Sequence, residues 1–301
     1  MPAVRVWGRR DRWGGYWGDT GWGRRDTCAV IQESPAQDVP YTVGSLVVDL
    51  RRLGLAAGDV VLVHSALRSV GFVVGHVQSV VHALLEVLGP AGTLVVPTHT
   101  GYNSDPAGWS NPPVPQSWWP VIRDENPGFD RVLSPSRWVG VLPEVVRTWP
   151  GAVRSGHPQV SFAAVGARAA EIVAGHPVED ELGDGSPLGA VYRVDGKVLL
   201  IGCGHGNNTS MHLSETRQLR PRMDVNGAAV RDPDGRARWV TWTAPASDSS
   251  DFEEIGVAFD AVGPVSVGLV GAAVSRLMSQ RAVVDFATAW MREHRSPGVS
   301  G

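Results

Sequence analysis

Lysine is almost missing from this 301-residue chain: of 27 basic residues only Lys197 is a lysine, while Ala, Val and Gly abound. That bias follows GC-rich codon usage and points to no function. Cysteine is scarce too. Cys28 and Cys203 are the only two, which excludes a disulfide framework and a CxxC metal site. No apolar run approaches the roughly 20 residues needed to cross a bilayer, and the chain opens on no apolar segment of the signal-peptide kind. A soluble, cytoplasmic protein with no membrane partner is expected. A net charge of −3 offers no surplus of cations for a phosphate backbone, so no nucleic-acid partner is expected either. Hydrophobic residues make up 43% of the chain, enough for a substantial core.

Residues 1–40 are unlike the rest. Trp7, Trp13, Trp17 and Trp22 stand among glycines, and WGRRD occurs at Trp7–Asp11 and again at Trp22–Asp26. With little aliphatic content and no periodicity, this tract reads as a disordered extension or as a tryptophan-rich contact arm. Residues 41–297 read as one domain. TVGSLVVDLRRLGL predicts an amphipathic helix capped by Thr42 and ended near Gly54, GDVVLVHSAL a strand, HVQSVVHALLEVLG a helix closed by Gly89, and GTLVVPTHT a second strand. VGVLPEVVRTWPG predicts a further helix, SFAAVGARAAEIVAG a strand leading into a helix, GKVLLIG a strand, ARWVTWTA a late hairpin strand, and residues 267–294 terminal helical segments. Alternating strand and helix imply an α/β fold, helices layered on both faces of a mixed, largely parallel sheet. A Pro- and Trp-rich insert at 101–135 is too irregular for a core and reads as a wall or lid.

Chemistry concentrates in two stretches. In KVLLIGCGHGNNTSMHLSET, Lys197–Thr216, an apolar strand pattern breaks at Gly202 and Gly204 and then delivers Asn207, Asn208, Thr209, His212 and Glu215. Rigid scaffolds position loop chemistry in this way, which makes His212 the candidate general base, with a structural histidine as the alternative. Glu215, one helical turn on, either orients that ring or caps the turn. In HSALRSVGFVVG, His64–Gly75, a strand runs into a helix near His76, and such loops aim unpaired N–H groups at an anion. The spacing fits neither a Walker loop nor GxGxxG; a phosphate-bearing cofactor met by Arg68, or an ordinary turn, remain as readings. Cys203 as a nucleophile with His205 or His212 as base is a rival, although a lone cysteine at a strand end is usually inert. His157, His205, His212 and Glu215 lack the spacing of a metal site, so no metal is expected. His64, His99 and His205 have core-edge packing as their default role, and His157 the ordering of a loop.

HSALRSVGFVVG, GPAGTLVVPTHT, WSNPPVPQSWW, RSGHPQVSFAAVG, GSPLGAVY and TSMHLSE stand in an order that resembles the aminoglycoside 3-N-acetyltransferase family, the antibiotic acetyltransferases. The likeness covers about Val43 to Arg295. It implies a single α/β unit distinct from the GNAT superfamily, with acetyl-CoA as co-substrate and no metal. It also implies direct transfer, in a ternary complex, to the 3-amino group of the 2-deoxystreptamine ring of a cationic aminoglycoside, conferring resistance; another amine metabolite is the alternative acceptor. Carried over by position, His212 is the general base and Glu253 of the FEEIG segment its hydrogen-bond acceptor, unless Glu253 is only a charge at a helix N-terminus. Ser65, Ala66, Leu67, Arg68, Ser69, Val70 and Gly71 would wrap the pyrophosphate and pantetheine, with Ser186 nearby. Asp180, and more loosely Asp105 and Asp184, would face the cationic substrate, a solvated acidic turn being the alternative. Thr209, Asn207 or loop N–H groups stay open as donors to the developing oxyanion. Monomer and homodimer are equally compatible with the sequence.

Overall fold

Structure begins ahead of the first apolar helix. In the computed structural model, which describes residues 37–110 and 112–295, the Gln37 side chain takes a hydrogen bond from Phe72 N (2.8 Å) and donates to Phe72 O (3.0 Å). The end of the expected extension, residues 37–40, is thus joined to the domain. The WGRRD repeats and Cys28 lie outside the described residues. Helix α1 (Val43–Leu53) opens on a reciprocal cap in which Thr42 Oγ1 accepts from Ser45 N and Ser45 Oγ accepts from Thr42 N. It buries Leu46, Val47, Leu50 and Leu53 and stops at Gly54, whose φ of 107° suits glycine.

One sheet organises the chain, in the spatial order β3 (Val153–Arg154), β4 (Phe162–Gly166), β2 (Thr93–Pro97), β1 (Val60–Ser65), β5 (Lys197–Ile201), β9 (Ala273–Ser279), β8 (Val265–Val270). The three central strands β2, β1 and β5 are parallel neighbours. Only β4 and β9 run against them, so five of the seven strands share one direction and the sheet is mixed. Strand alternation sends Val61 and Val63 to one face and Val60 and Leu62 to the other. The first face is covered by α1, α2 (His76–Leu88) and α4 (Val141–Arg147). The second is covered by α5 (Ala169–Val173), α6 (Pro187–Arg193), α7 (His212–Thr216), α8 (Phe252–Val262) and α9 (Gln280–His294). Among the described residues, no helix is long and apolar enough to cross a membrane.

Two places depart from the sequence reading. Of residues 267–294, expected to be helical, 267–279 belong to the β8–β9 hairpin, and only α9 is a helix. Gly271, with φ of 60°, makes the turn, and its backbone N–H donates to Asp49. The 101–135 insert is not free. It contains α3 (Trp119–Glu125), and it packs on a second, two-stranded sheet, β6 (Met223–Arg231) with β7 (Ala237–Pro245). Buried Asn103 donates to Ala229 O (2.9 Å) and accepts from Ala229 N (3.0 Å), continuing that hairpin's edge. Buried Arg154 donates to Thr98 O (2.7 Å) and Ser134 O (2.5 Å), fastening the insert to the rim of the main sheet.

Candidate active site

Strands β2, β1 and β5 end on the same edge, and a cavity of about 440 Å³ opens there. The crevice beyond the carboxyl ends of parallel strands is where open α/β sheets bind ligands. His64 and Ser65 enter it from β1, His99 from just beyond β2, and Asn207, Thr209 and His212 from the turns after β5. Trp138 and Phe252 close its sides. Gly202 makes the exit from β5 possible: its φ is 66°, and a Cβ there would overlap the Ser69 hydroxyl. Asn208 Oδ1 then accepts from Ser210 N (3.2 Å), capping the turn that launches α7 at His212.

Short as it is, α7 puts His212 and Glu215 on one face, three residues apart. His212 Nδ1 lies 2.7 Å from Glu215 Oε2. A carboxylate is an acceptor, so the ring hydrogen sits on Nδ1 and the Nε2 lone pair is free. The ring also packs on Phe252, centroids 4.7 Å apart. The Glu215 side chain is only 6% exposed, and its second oxygen accepts from Asp248 N (3.0 Å) and Arg295 Nη1 (2.6 Å). The expected partner, Glu253, is instead exposed and accepts from Gly206 N at 2.9 Å. The first turn of α8 aims Phe252 at the imidazole and its neighbour Glu253 at the turn above, so the carboxylate that meets the ring is Glu215.

Thr209 and Asn207 share the cavity with His212. In the glycine loop, Ser65 lines the cavity while Ala66, Arg68 and Ser69 are exposed, Leu67 and Gly71 half-buried, and Val70 buried in the core. The loop therefore runs from the cavity rim to the outer surface. Ser186 is placed differently from expectation: 1% exposed, it caps α6, accepting from Leu188 N (3.1 Å) and donating to Gly183 O (2.7 Å). The three aspartates do not line the cavity either. Asp105 pairs with Arg123 at 2.7 Å and caps its own turn through Ala107 N. Asp180 accepts from Gly185 N at 2.5 Å, and exposed Asp184 pairs with Arg217 at 2.6 Å. Their carboxylates are spent on turn geometry and on neighbouring arginines.

Burial, reinforced by the His212 imidazole nearby, pushes both His64 and His99 down to about 3. They are neutral at physiological pH and add no cation to the cavity floor. Cys203 stands outside the cavity lining, and burial pushes its thiol up to about 11, which removes the thiolate a covalent route needs. Of the residues weighed as a rival metal set, His205 Nε2 meets Asp260 (3.0 Å) and His157 Nε2 meets Val178 O (3.3 Å), away from the His212–Glu215 pair. Among the described residues, no group of three or more His, Cys, Asp or Glu side chains is arranged to hold a metal ion.

A protein-family model described as aminoglycoside 3-N-acetyltransferase matches residues 62–292. The chain belongs to the aminoglycoside 3-N-acetyltransferase family. Curated relatives include the SPbeta prophage-derived aminoglycoside N(3')-acetyltransferase-like protein YokD of Bacillus subtilis (strain 168), 38% identical, with 86% of this chain and 96% of the relative aligned. Aminoglycoside N(3)-acetyltransferase VII of Streptomyces paromomycinus is 37% identical over 91% of this chain and 99% of its own. Among solved structures of the family, that of YokD superposes with a TM-score of 0.81 over 85% of this chain and all of its own. AAC-IIIb in binary complex with CoASH is 31% identical, with a TM-score of 0.76 over 87% of this chain and 100% of that one. AAC-VIa bound to sisomicin is 30% identical, with the same TM-score over 86% and 100%.

The sequence singled out His212, Thr209 and Ser65, and the structure brings all three to the lining of one cavity. The sequence did not single out Arg295, Phe252 or Trp138. The i,i+3 spacing of His212 and Glu215 was the available signal for the dyad; nothing local marks Arg295, eighty residues away from Glu215.

Proposed function

We propose that this chain transfers the acetyl group of acetyl-CoA to an aminoglycoside, at the 3-amino group of the 2-deoxystreptamine ring, and so confers resistance. The observation that carries this reading is the 2.7 Å contact of His212 with buried Glu215 on the wall of the cavity. Relatives named as aminoglycoside N(3)-acetyltransferases, and family structures holding CoASH or sisomicin, support the choice of both substrates.

An ammonium cannot attack a carbonyl, so the acceptor nitrogen has to lose a proton. His212 Nε2 takes it, and general-base help of this kind is worth about 100- to 10,000-fold. Glu215 holds the ring in the tautomer that leaves Nε2 free and stabilises the imidazolium. Acetyl-CoA supplies the thioester: once the first proton has passed from His212 to solvent, the C–N bond forms as the C–S bond breaks, and His212 carries the second proton of the nitrogen to the departing thiolate. Thr209, half-buried in the same cavity, brings a side-chain hydroxyl that can donate to the carbonyl oxygen as it gains charge. The loop from Ser65 to Gly71 suits a long co-substrate, with the thioester inside the rim and the phosphates outside, where Arg68 is exposed. Trp138, 71% exposed at the rim with φ of 64°, sets the edge of its ring against Gly101 and offers an aromatic face to a cationic sugar. An acetamide is uncharged, so the modified drug loses one cationic contact with an anionic target.

Thiol release from acetyl-CoA, measured against a panel of aminoglycosides and simple amines with mass analysis of each product, tests this. Release is expected with 2-deoxystreptamine aminoglycosides, each gaining one acetyl group on the 3-amino nitrogen. Acetylation of simple amines with the aminoglycosides left untouched contradicts it.

A further inference from the structure

We propose that Arg295 is a positioning residue for the His212–Glu215 pair, contributed by the chain's far end where α9 stops. Its guanidinium makes four hydrogen bonds. Nη1 donates to Glu215 Oε1 at 2.6 Å, Nε and Nη2 grip the two oxygens of Asp251 at 2.7 and 2.5 Å, and Nη2 also reaches Asp248 O at 2.8 Å. A carboxylate as buried as Glu215 needs both oxygens satisfied, and Arg295 occupies the one that His212 does not. With Asp248 N on the same oxygen, Glu215 is left a single orientation, the one that meets Nδ1.

The same cation acts from a second side. Asp251 and Asp248 bracket Ser249, which lines the cavity, and Asp251 precedes Phe252, whose ring lies against the imidazole. Holding that segment therefore fixes the wall on which His212 rests. The charged groups that face Arg295 are Glu215 from α7, Asp251 from the start of α8 and Asp248 from the segment before it; Arg222 acts on Asp248 from further off. Net attraction holds the cluster. Taking the cation away leaves Glu215 Oε1 with Asp248 N alone and frees the carboxylate to turn away from Nδ1.

The proposal rests on His212 as the base, and the test separates the two. NMR of the His212 ring in the full-length resting protein needs no substrate: Arg295→Met is expected to shift or broaden the Nδ1–H resonance that marks the contact with Glu215. In the thiol-release assay, Arg295→Ala is expected to lower kcat about tenfold or more with the KM for acetyl-CoA within about twofold, and added guanidinium to restore part of kcat. The same guanidinium is expected to do nothing for His212→Ala. Arg295→Lys keeps the charge but not the fork, and is expected to keep the melting temperature while losing kcat. An unchanged His212 Nδ1–H resonance in Arg295→Met overturns the proposal whatever the substrate proves to be. So does a kcat loss that guanidinium leaves unchanged and that only follows a fall in melting temperature.

Discussion

Glu215 and Glu253 both border the turn that carries His212, and only one of them orients it. Glu215 is buried and spends one oxygen on Nδ1; Glu253 is exposed and accepts from a backbone N–H. Removing charge at the two positions has different consequences. Glu215→Gln puts an amide opposite Nδ1, which weakens the hold on the tautomer and withdraws the charge that stabilises the imidazolium. It is expected to lower kcat by about tenfold or more at unchanged acetyl-CoA affinity. Glu253→Gln keeps an acceptor for Gly206 N and is expected to stay within about twofold of wild type, since exposed charges contribute little. Steady-state kinetics of the two variants side by side give the answer, and equal losses would return Glu253 to the site.

Elements were legible in the sequence where local signals agreed. Thr42, Gly54 and the apolar spacing between them defined α1, and the unbroken apolar runs of β1, β2 and β5 defined the three parallel strands that carry the site. Where the answer depends on what packs against the segment, the sequence was silent. VSVGLVGAAVSRLMS is rich enough in apolar residues to pass for a helix, and it becomes a hairpin because Gly271 can turn and because β5 offers an edge to pair with. Acidic residues misled for a related reason. A sequence shows that Asp105 and Asp184 are charged, but not that Arg123 and Arg217 have claimed them. The pairing of His212 with Glu215 was legible because both sit inside one motif; the contact of Arg295 was not, because tertiary folding alone brings position 295 to position 215.

At the scale of the whole molecule, four buried or half-buried histidines tie stability to pH. Burial, aided by neighbouring imidazoles, pushes His64, His99 and His157 down to about 3, and burial pushes His176 down to about 4. His157 and His176 also lie ring to ring, 4.7 Å apart, between the sheet and the β6–β7 hairpin. The unfolded chain takes up these protons near pH 6.5 and the native state does not, so stability is complete above that pH. It is lost as the pH falls toward 4, each imidazole removing about 1.4 kcal/mol per pH unit in the interval. Thermal melts are expected to hold level from pH 8 to 7 and to drop steadily from 6.5 to 5; a melting temperature unchanged at pH 5 contradicts this. Beneath every scale lies the claim that one imidazole, aimed by Glu215, removes the acceptor's proton. Single-turnover acetyl transfer by His212→Ala, with acetyl-CoA and aminoglycoside both saturating, tests it most directly. A fall of about a hundredfold or more with acetyl-CoA binding intact is the predicted result, and transfer at the wild-type rate is the result that contradicts it.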